Sequence, residues 1–150
     1  MQARMKNPAQ IVPGAMTAIL DLVKAIEKSA ASGVTMELVH MRVSQINGCS
    51  ACVVGGIPSA KKSGVTDDQL HSVAVWREAP YFSDSERAAL ELAESATRLA
   101  DGRGVPDDVW DAAADHFTED ELAAIILMIG LTNLFNRLNA TTRQVAGATW

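Results

Sequence analysis

The sequence has few aromatic residues, no excess of basic charge and only two cysteines among its 150 residues. Phe, Trp and Tyr make up 5% of the chain, whereas small and aliphatic residues are plentiful. Such a composition favours helices. The formal net charge is -5, and no basic stripe is present that could neutralise phosphates. These features argue against a nucleic-acid partner.

Long apolar stretches are also missing. The longest apolar run, residues 122–129, is far shorter than a membrane span, and the first residues lack the apolar segment of a signal peptide. We therefore expect a cytoplasmic protein with no membrane partner. In a reducing cytosol, Cys49 and Cys52 are more readily explained as catalytic or metal-binding residues than as a structural staple.

Helical signals run along most of the chain. Apolar residues follow helical spacing after Pro13 and Gly14, and a second helix is predicted from about Thr35 to Gln45. Three capping boxes mark further helix starts. They are Thr66 with Gln69, Ser83 with Glu86, and Thr118 with Glu121.

The last main helix is predicted from Thr118 to about Asn139 and is apolar on nearly every side. A helix of this kind is either a central core helix or part of a subunit interface. No segment shows sustained strand alternation. We therefore predict a single all-α domain of six to eight helices over residues 1–150, with residues 1–10 as a loose N-terminal arm.

The two cysteines form a Cys-Ser-Ala-Cys motif directly after the Asn47-Gly48 break, where a helix is expected to start. At a helix N-terminus, free N–H groups and the helix dipole favour the thiolate, and the second thiol of such a pair can resolve the oxidised first one. Two alternatives remain. The pair is half of a zinc site that His40 or Glu37 would have to complete, or it is two buried structural cysteines.

The surrounding sequence resembles the AhpD-like alkylhydroperoxidase group of the carboxymuconolactone decarboxylase family. The resemblance rests on the segment from Glu37 to Cys52 and on three further blocks, residues 74–82, 86–90 and 136–144. It implies an all-helical subunit that assembles into trimers, hexamers or similar homo-oligomers. It also implies a peroxidase that reduces a hydroperoxide, takes its electrons from a dithiol reductant and needs no cofactor or metal.

The resemblance implies roles for individual residues. Cys52 matches the cysteine that attacks the peroxide, Cys49 the resolving cysteine, and Glu37 a member of the proton relay. The relay histidine expected four residues after Cys52 is replaced by Gly56. We expect Gly56 to leave an empty volume beside the thiol, and the sequence Gly55-Gly56-Ile57-Pro58 to shorten or bend its helix.

His40 lies three residues after Glu37, hence on the same helix face. It is either a substitute acid/base partner in the pocket or a surface or interface histidine, and the second reading is favoured. Trp76 and Tyr81 are candidates for the substrate pocket, although packing is the commoner role for such residues.

The leading hypothesis is a thiol peroxidase that is impaired or redirected by the missing histidine. If so, Gly56→His should raise its activity. The rivals are a non-catalytic oligomeric protein that binds a small apolar ligand and a decarboxylase of the same broad family.

Overall fold

The computed structural model describes residues 2–29, 31–102 and 104–148, and this part of the chain folds into eight α-helices without a strand. In chain order they are α1 (Pro8–Ile11), α2 (Ala15–Glu27), α3 (Gly33–Ile46), α4 (Ser50–Ser63), α5 (Asp67–Ser72), α6 (Asp84–Thr97), α7 (Asp107–His116) and α8 (Glu119–Thr142). Two single 3-10 turns, Val73–Val75 and Leu99–Asp101, follow α5 and α6. The all-α prediction and the upper end of the predicted helix count are confirmed.

The three capping boxes start helices where the sequence predicted them. Thr66, Ser83 and Thr118 each accept a hydrogen bond from the backbone N–H three residues on, and the Gln or Glu at that position bonds back to the cap. Each box satisfies two N–H groups that a helix start would otherwise leave unpaired. These local contacts fix the first residues of α5, α6 and α8.

Helix α3 is the central element of the fold and packs against α4, α6 and α8. Its residues Leu38, Val39 and Val43 are almost completely buried. One hydrophobic core lies between α3 and helices α2, α6, α7 and α8, and a second lies between α3, α4 and the segment from Val65 to Leu90. Because α3 contacts both cores, it fixes the position of α4 relative to α8.

Helix α8 is long and apolar enough to cross a membrane by length and composition alone. It packs along α2, α3, α4, α6 and α7, and 39% of its most apolar 18-residue window is buried. Its opposite face exposes Ile126 and Leu127. The expected homo-oligomer and the cytoplasmic location stay predictions, because the structure contains a single chain.

The N-terminal segment is docked on the protein, so the expectation of a loose arm over residues 1–10 is wrong for the described part. The backbone N–H of Arg4 donates to the carbonyl of Thr142, and Gln144 donates to the carbonyl of Met5. Asn7 caps α1 by accepting from the N–H of Ala9, and Asn7 is itself buried. Sequence patterns missed this docking because it depends on hydrogen bonds to a helix more than 130 residues away.

Candidate active site

A tight turn between α3 and α4 places the cysteine pair. Asn47 ends α3, and Gly48 follows with a φ of 64°, a left-handed conformation that glycine adopts without a steric penalty. The N–H of Cys49 then donates back to the carbonyl of Ser44 at 2.9 Å. The turn therefore starts α4 directly after α3 and sets the two helices side by side.

Asparagine side chains attach this turn to α8. Asn47 Nδ2 donates to Asn136 Oδ1 at 2.9 Å and to Asn133 Oδ1 at 3.0 Å, and Asn136 Nδ2 donates to Ser44 Oγ at 3.1 Å. Buried amides with their hydrogen bonds satisfied hold a unique arrangement, since any displacement would leave polar groups unpaired. The start of α4 is thus fixed relative to α8.

Cys49 and Cys52 are joined by a disulfide, with their Cα atoms 5.3 Å apart. Cys49 is the N-cap of α4, and its Sγ accepts the backbone N–H of Cys52 at 3.3 Å. Both residues are buried, with 2% and 8% of their surface exposed, respectively. The Cα separation is one that a disulfide can span.

Helix α4 continues through the segment that was expected to interrupt it. Gly55, Gly56 and Pro58 all lie inside an uninterrupted helix that ends at Ser63. The prediction of a shortened helix is therefore wrong. The packing of α4 against α3 and α8 compensates for the weak helix propensity of this segment.

Asn139 on α8 reaches the sulfur of Cys52. Its Nδ2 donates to Cys52 Sγ at 3.3 Å, and its Oδ1 accepts from Asn7 Nδ2 at 2.8 Å. The Oδ1 of Asn7 is occupied by the N–H of Ala9. Because the side-chain oxygens of Asn139 and Asn7 each already accept a hydrogen bond, the amide of Asn139 is held with its NH₂ group towards the sulfur.

Cys52 also opens onto the main cavity of the described structure, a space of about 840 Å³ bounded by α2, α3, α4 and α8. Cys49 does not line it. The side towards α2 and α8 is apolar, with Met16, Leu20, Val23, Met128, Leu131 and Phe135. Cavities of roughly 300–1,000 Å³ hold organic molecules. An organic ligand can therefore contact Cys52 from this side.

Glu37 and His40 line the same cavity from α3. Ser59 on α4 donates a hydrogen bond to Glu37 Oε1, and Glu37 Oε2 lies 3.9 Å from His40 Nδ1. The structure therefore brings Glu37, His40 and Cys52 to one cavity. The favoured expectation for His40, a surface or interface histidine, is replaced by a half-buried position in the site.

The imidazole of His40 lies directly over Gly56. A Cβ atom at Gly56 would come within 2.6 Å of His40 Cε1 and 2.9 Å of His40 Nδ1, closer than such atoms can approach. Gly56 lines the cavity together with Cys52, as expected, but the space directly over its Cα is not empty. The space that a side chain at this position would use is filled by a histidine from the neighbouring helix.

The environment shifts the pKa values of both ionisable groups on α3. Burial raises the pKa of Glu37; the hydrogen bond from Ser59 opposes this shift, and the nearby charge of Glu27 adds to it. Burial lowers the pKa of His40. Both shifts favour the neutral forms, as expected where water is partly excluded.

Trp76 and Tyr81 lie away from this cavity, so their assignment to the substrate pocket is wrong. Trp76 is buried in the second core, where its Nε1 donates to Glu94 at 2.9 Å. Tyr81 is about half exposed on the connection to α6.

The described residues contain no group of three or more His, Cys, Asp or Glu that could hold a metal ion. Within them, no ligand set completes the zinc half-site.

Asn7, Ser59 and Asn139 are site residues that the sequence analysis did not identify. A signal for Asn139 was present, because Thr132, Asn136 and Asn139 are spaced four and three apart on an otherwise apolar helix. Such spacing places polar groups on one helix face. All three prove to be buried. The sequence offers no comparable signal for Asn7, since its partner is distant in the chain.

Comparisons with known proteins agree with the geometry. The model of the carboxymuconolactone decarboxylase family matches residues 13–95. The uncharacterized protein YdfG of Bacillus subtilis is 33% identical over 87% of this chain and 88% of its own length.

Several solved structures share the fold. A protein of unknown function from Agrobacterium tumefaciens, provisionally named an antioxidant defence protein AhpD, superposes with a TM-score of 0.90 at 29% identity. The alignment covers 99% of this chain and all of that one. The debrominase Bmp8 superposes with a TM-score of 0.79 at 21% identity, over 93% of this chain and 74% of its own, which shows a common fold alone.

Proposed function

Because the chain belongs to the carboxymuconolactone decarboxylase family, we propose that it is a thiol-dependent peroxidase that reduces organic hydroperoxides through Cys52 and Cys49. The observation that carries this proposal is the position of Cys52. Cys52 lines the cavity, whereas Cys49, which is bonded to it, does not line the cavity and is only 2% exposed. An incoming hydroperoxide would meet Cys52 first.

The reaction has three balanced steps. The thiolate of Cys52 attacks the outer peroxide oxygen, the O–O bond breaks, and the product is a sulfenic acid on Cys52 and an alkoxide that takes up a proton as an alcohol. Cys49 then attacks the sulfenic sulfur, which forms the disulfide and releases water. A small dithiol reduces the disulfide to two thiols and is itself oxidised.

The site supplies the groups that these steps need. The N-terminus of α4 and the amide of Asn139 both favour negative charge on sulfur. Glu37 lies beside the cavity with a raised pKa, so it can exchange protons closer to neutral pH than an exposed carboxylate does. The apolar walls suit the carbon body of an organic hydroperoxide better than hydrogen peroxide.

Steady-state turnover of cumene hydroperoxide with dithiothreitol as the reductant tests the proposal. We expect Cys52→Ser to abolish turnover. Cys49→Ser, reduced and then freed of dithiothreitol, should undergo one oxidation of Cys52, and dimedone should trap the product as the sulfenic acid. Glu37→Gln should keep the fold and lower the rate about 100-fold or more.

Equal turnover by the parent and Cys52→Ser would refute the proposal. If the parent turns over no hydroperoxide but binds cumyl alcohol in the cavity, the non-catalytic binding protein is the better description. Hydrogen peroxide serves as the comparison substrate, and we expect a lower kcat/KM for it than for cumene hydroperoxide.

A further inference from the structure

We propose that the imidazole of His40, held over Gly56, is the group that takes the proton of the Cys52 thiol and delivers it to the leaving alkoxide oxygen. This inference rests on the proposed peroxidase function and adds a residue to its mechanism. The chain has three histidines, and His71 and His116 are exposed and line no part of the cavity. His40 alone can supply an imidazole there.

The geometry of α3 and α4 makes room for this imidazole. Gly56 lies four residues after Cys52, so it is on the same face of α4, one turn farther along. Because Gly56 has no Cβ, the Cε1–Nδ1 edge of the His40 ring can rest against the helix backbone there. Any larger residue at position 56 would have to displace the ring. The glycine is thus a condition for the present position of His40.

The charged and polar groups that line the cavity with His40 suit proton transfer. Glu37 lies next to the ring on the same helix, and the cavity is also lined by Cys52 and Lys62 on α4 and by Glu27 on α2. Helix α8 contributes only Met128, Leu131, Thr132, Phe135 and Asn139, none of which titrates. Burial keeps the imidazole neutral at neutral pH, so it is able to accept a proton. Glu37 Oε2, 3.9 Å from Nδ1, is placed to stabilise the imidazolium that results.

Two measurements on the reduced protein test the role of His40. The first is single-turnover oxidation of Cys52 by cumene hydroperoxide. The second needs no peroxide: alkylation of Cys52 by iodoacetamide as a function of pH, located by mass spectrometry. The variants are His40→Gln, His40→Ala and the exchange variant His40→Ala/Gly56→His. The matched control is His71→Gln, which changes an exposed histidine in the same way.

We expect His40→Gln and His40→Ala to slow the oxidation about 100-fold or more, and to change the pH dependence of alkylation, with His71→Gln behaving as the parent. The exchange variant should oxidise at Cys52 at least about tenfold faster than His40→Ala, since it returns an imidazole to the same space. A merely structural role would produce no such recovery. Denaturation midpoints in urea confirm that each variant is folded.

The outcomes separate this inference from the proposed function. If the parent oxidises Cys52 at a normal rate and His40→Gln matches it, the role of His40 is refuted while the peroxidase stands. If the parent does not react with hydroperoxide, the peroxidase fails, and the alkylation profile still decides whether His40 acts on the Cys52 thiol. An unchanged profile in His40→Gln would reject the inference in that case too.

Discussion

Asn139 Nδ2 donates a hydrogen bond to Cys52 Sγ over 3.3 Å, and this contact connects α8 to the cysteine that lines the cavity. Asn7 holds the amide in place from the other side. When the disulfide is reduced, the same N–H meets a thiolate, for which a hydrogen bond is stronger than for a neutral sulfur. The N-terminal segment therefore influences the reactive centre through a single side chain.

Asn139→Ala should make Cys52 less reactive. Loss of a hydrogen bond to a charged group costs about 1.5–3 kcal/mol, which corresponds to a rate of alkylation by iodoacetamide about 10- to 100-fold lower near neutral pH. Thr141→Ala is the matched control, because Thr141 is an exposed polar residue on the same helix. Equal rates in the two variants would contradict the role assigned to Asn139.

Asn7→Ala should have a smaller effect in the same direction, since it frees the Asn139 amide to turn. In a double-mutant cycle, the effects of Asn7→Ala and Asn139→Ala on alkylation should be less than additive, because both act through one hydrogen bond. Additive effects would mean that Asn7 acts on the site by another route.

Two adjacent glycines in α4 provide a matched pair. A Cβ at Gly55 would meet no atom within 4 Å, so Gly55→Ala should stabilise the protein by about 0.5–1 kcal/mol through helix propensity. Gly56→Ala should gain less, because its Cβ must displace His40, and it should slow the oxidation of Cys52. Urea denaturation and single-turnover oxidation measure the two effects.

This expectation reverses the prediction from sequence that Gly56→His on its own raises activity. With His40 in place, there is no room for a histidine side chain at position 56. If Gly56→Ala keeps the parental oxidation rate, the position of His40 over the glycine does not matter for the reaction.

We expect Glu94 to contribute to the stability of the protein rather than to its activity. It is buried and accepts hydrogen bonds from Trp76, Arg77 and Arg42. Burial alone would raise the pKa of Glu94, but the bonds from Trp76, Arg77 and Arg42 outweigh it and hold that pKa below the usual value of 4.5. A carboxyl group whose pKa is lowered by folding stabilises the protein at pH values above its pKa in the unfolded chain. This contribution is lost as the pH falls through its pKa in the folded protein.

Glu94→Gln should therefore lower the free energy of unfolding by about 3–5 kcal/mol at neutral pH, because it leaves the mostly buried Arg42 without its carboxylate, whereas Arg77 keeps Glu91. The difference between parent and variant should shrink as the pH falls below about 4.5. Urea denaturation over a series of pH values measures this. A loss of stability that does not depend on pH would show that packing, rather than charge, is the contribution of Glu94.

The helices and their starting points could be predicted because the signals are local. Thr66, Ser83 and Thr118 each bond to a residue three positions on, so the pattern can be read from adjacent letters of the sequence. The Cys-Ser-Ala-Cys motif is equally local, and Glu37 was identified because its spacing to Cys49 resembles that of the family. Reasoning from local propensity failed for α4, where packing against two other helices overrides two glycines and a proline.

By itself, the sequence determined the all-helical class, the cysteine pair at the start of a helix and the carboxylate upstream of it. These features depend on spacing along the chain: the cysteines lie three residues apart, and Glu37 lies twelve residues before Cys49. The tertiary structure alone decided that His40 lies over Gly56, that Asn139 and Asn7 reach Cys52, and that Trp76 lies outside the cavity. Each of these contacts joins residues from different elements, so it exists only once α3 has packed against its neighbours.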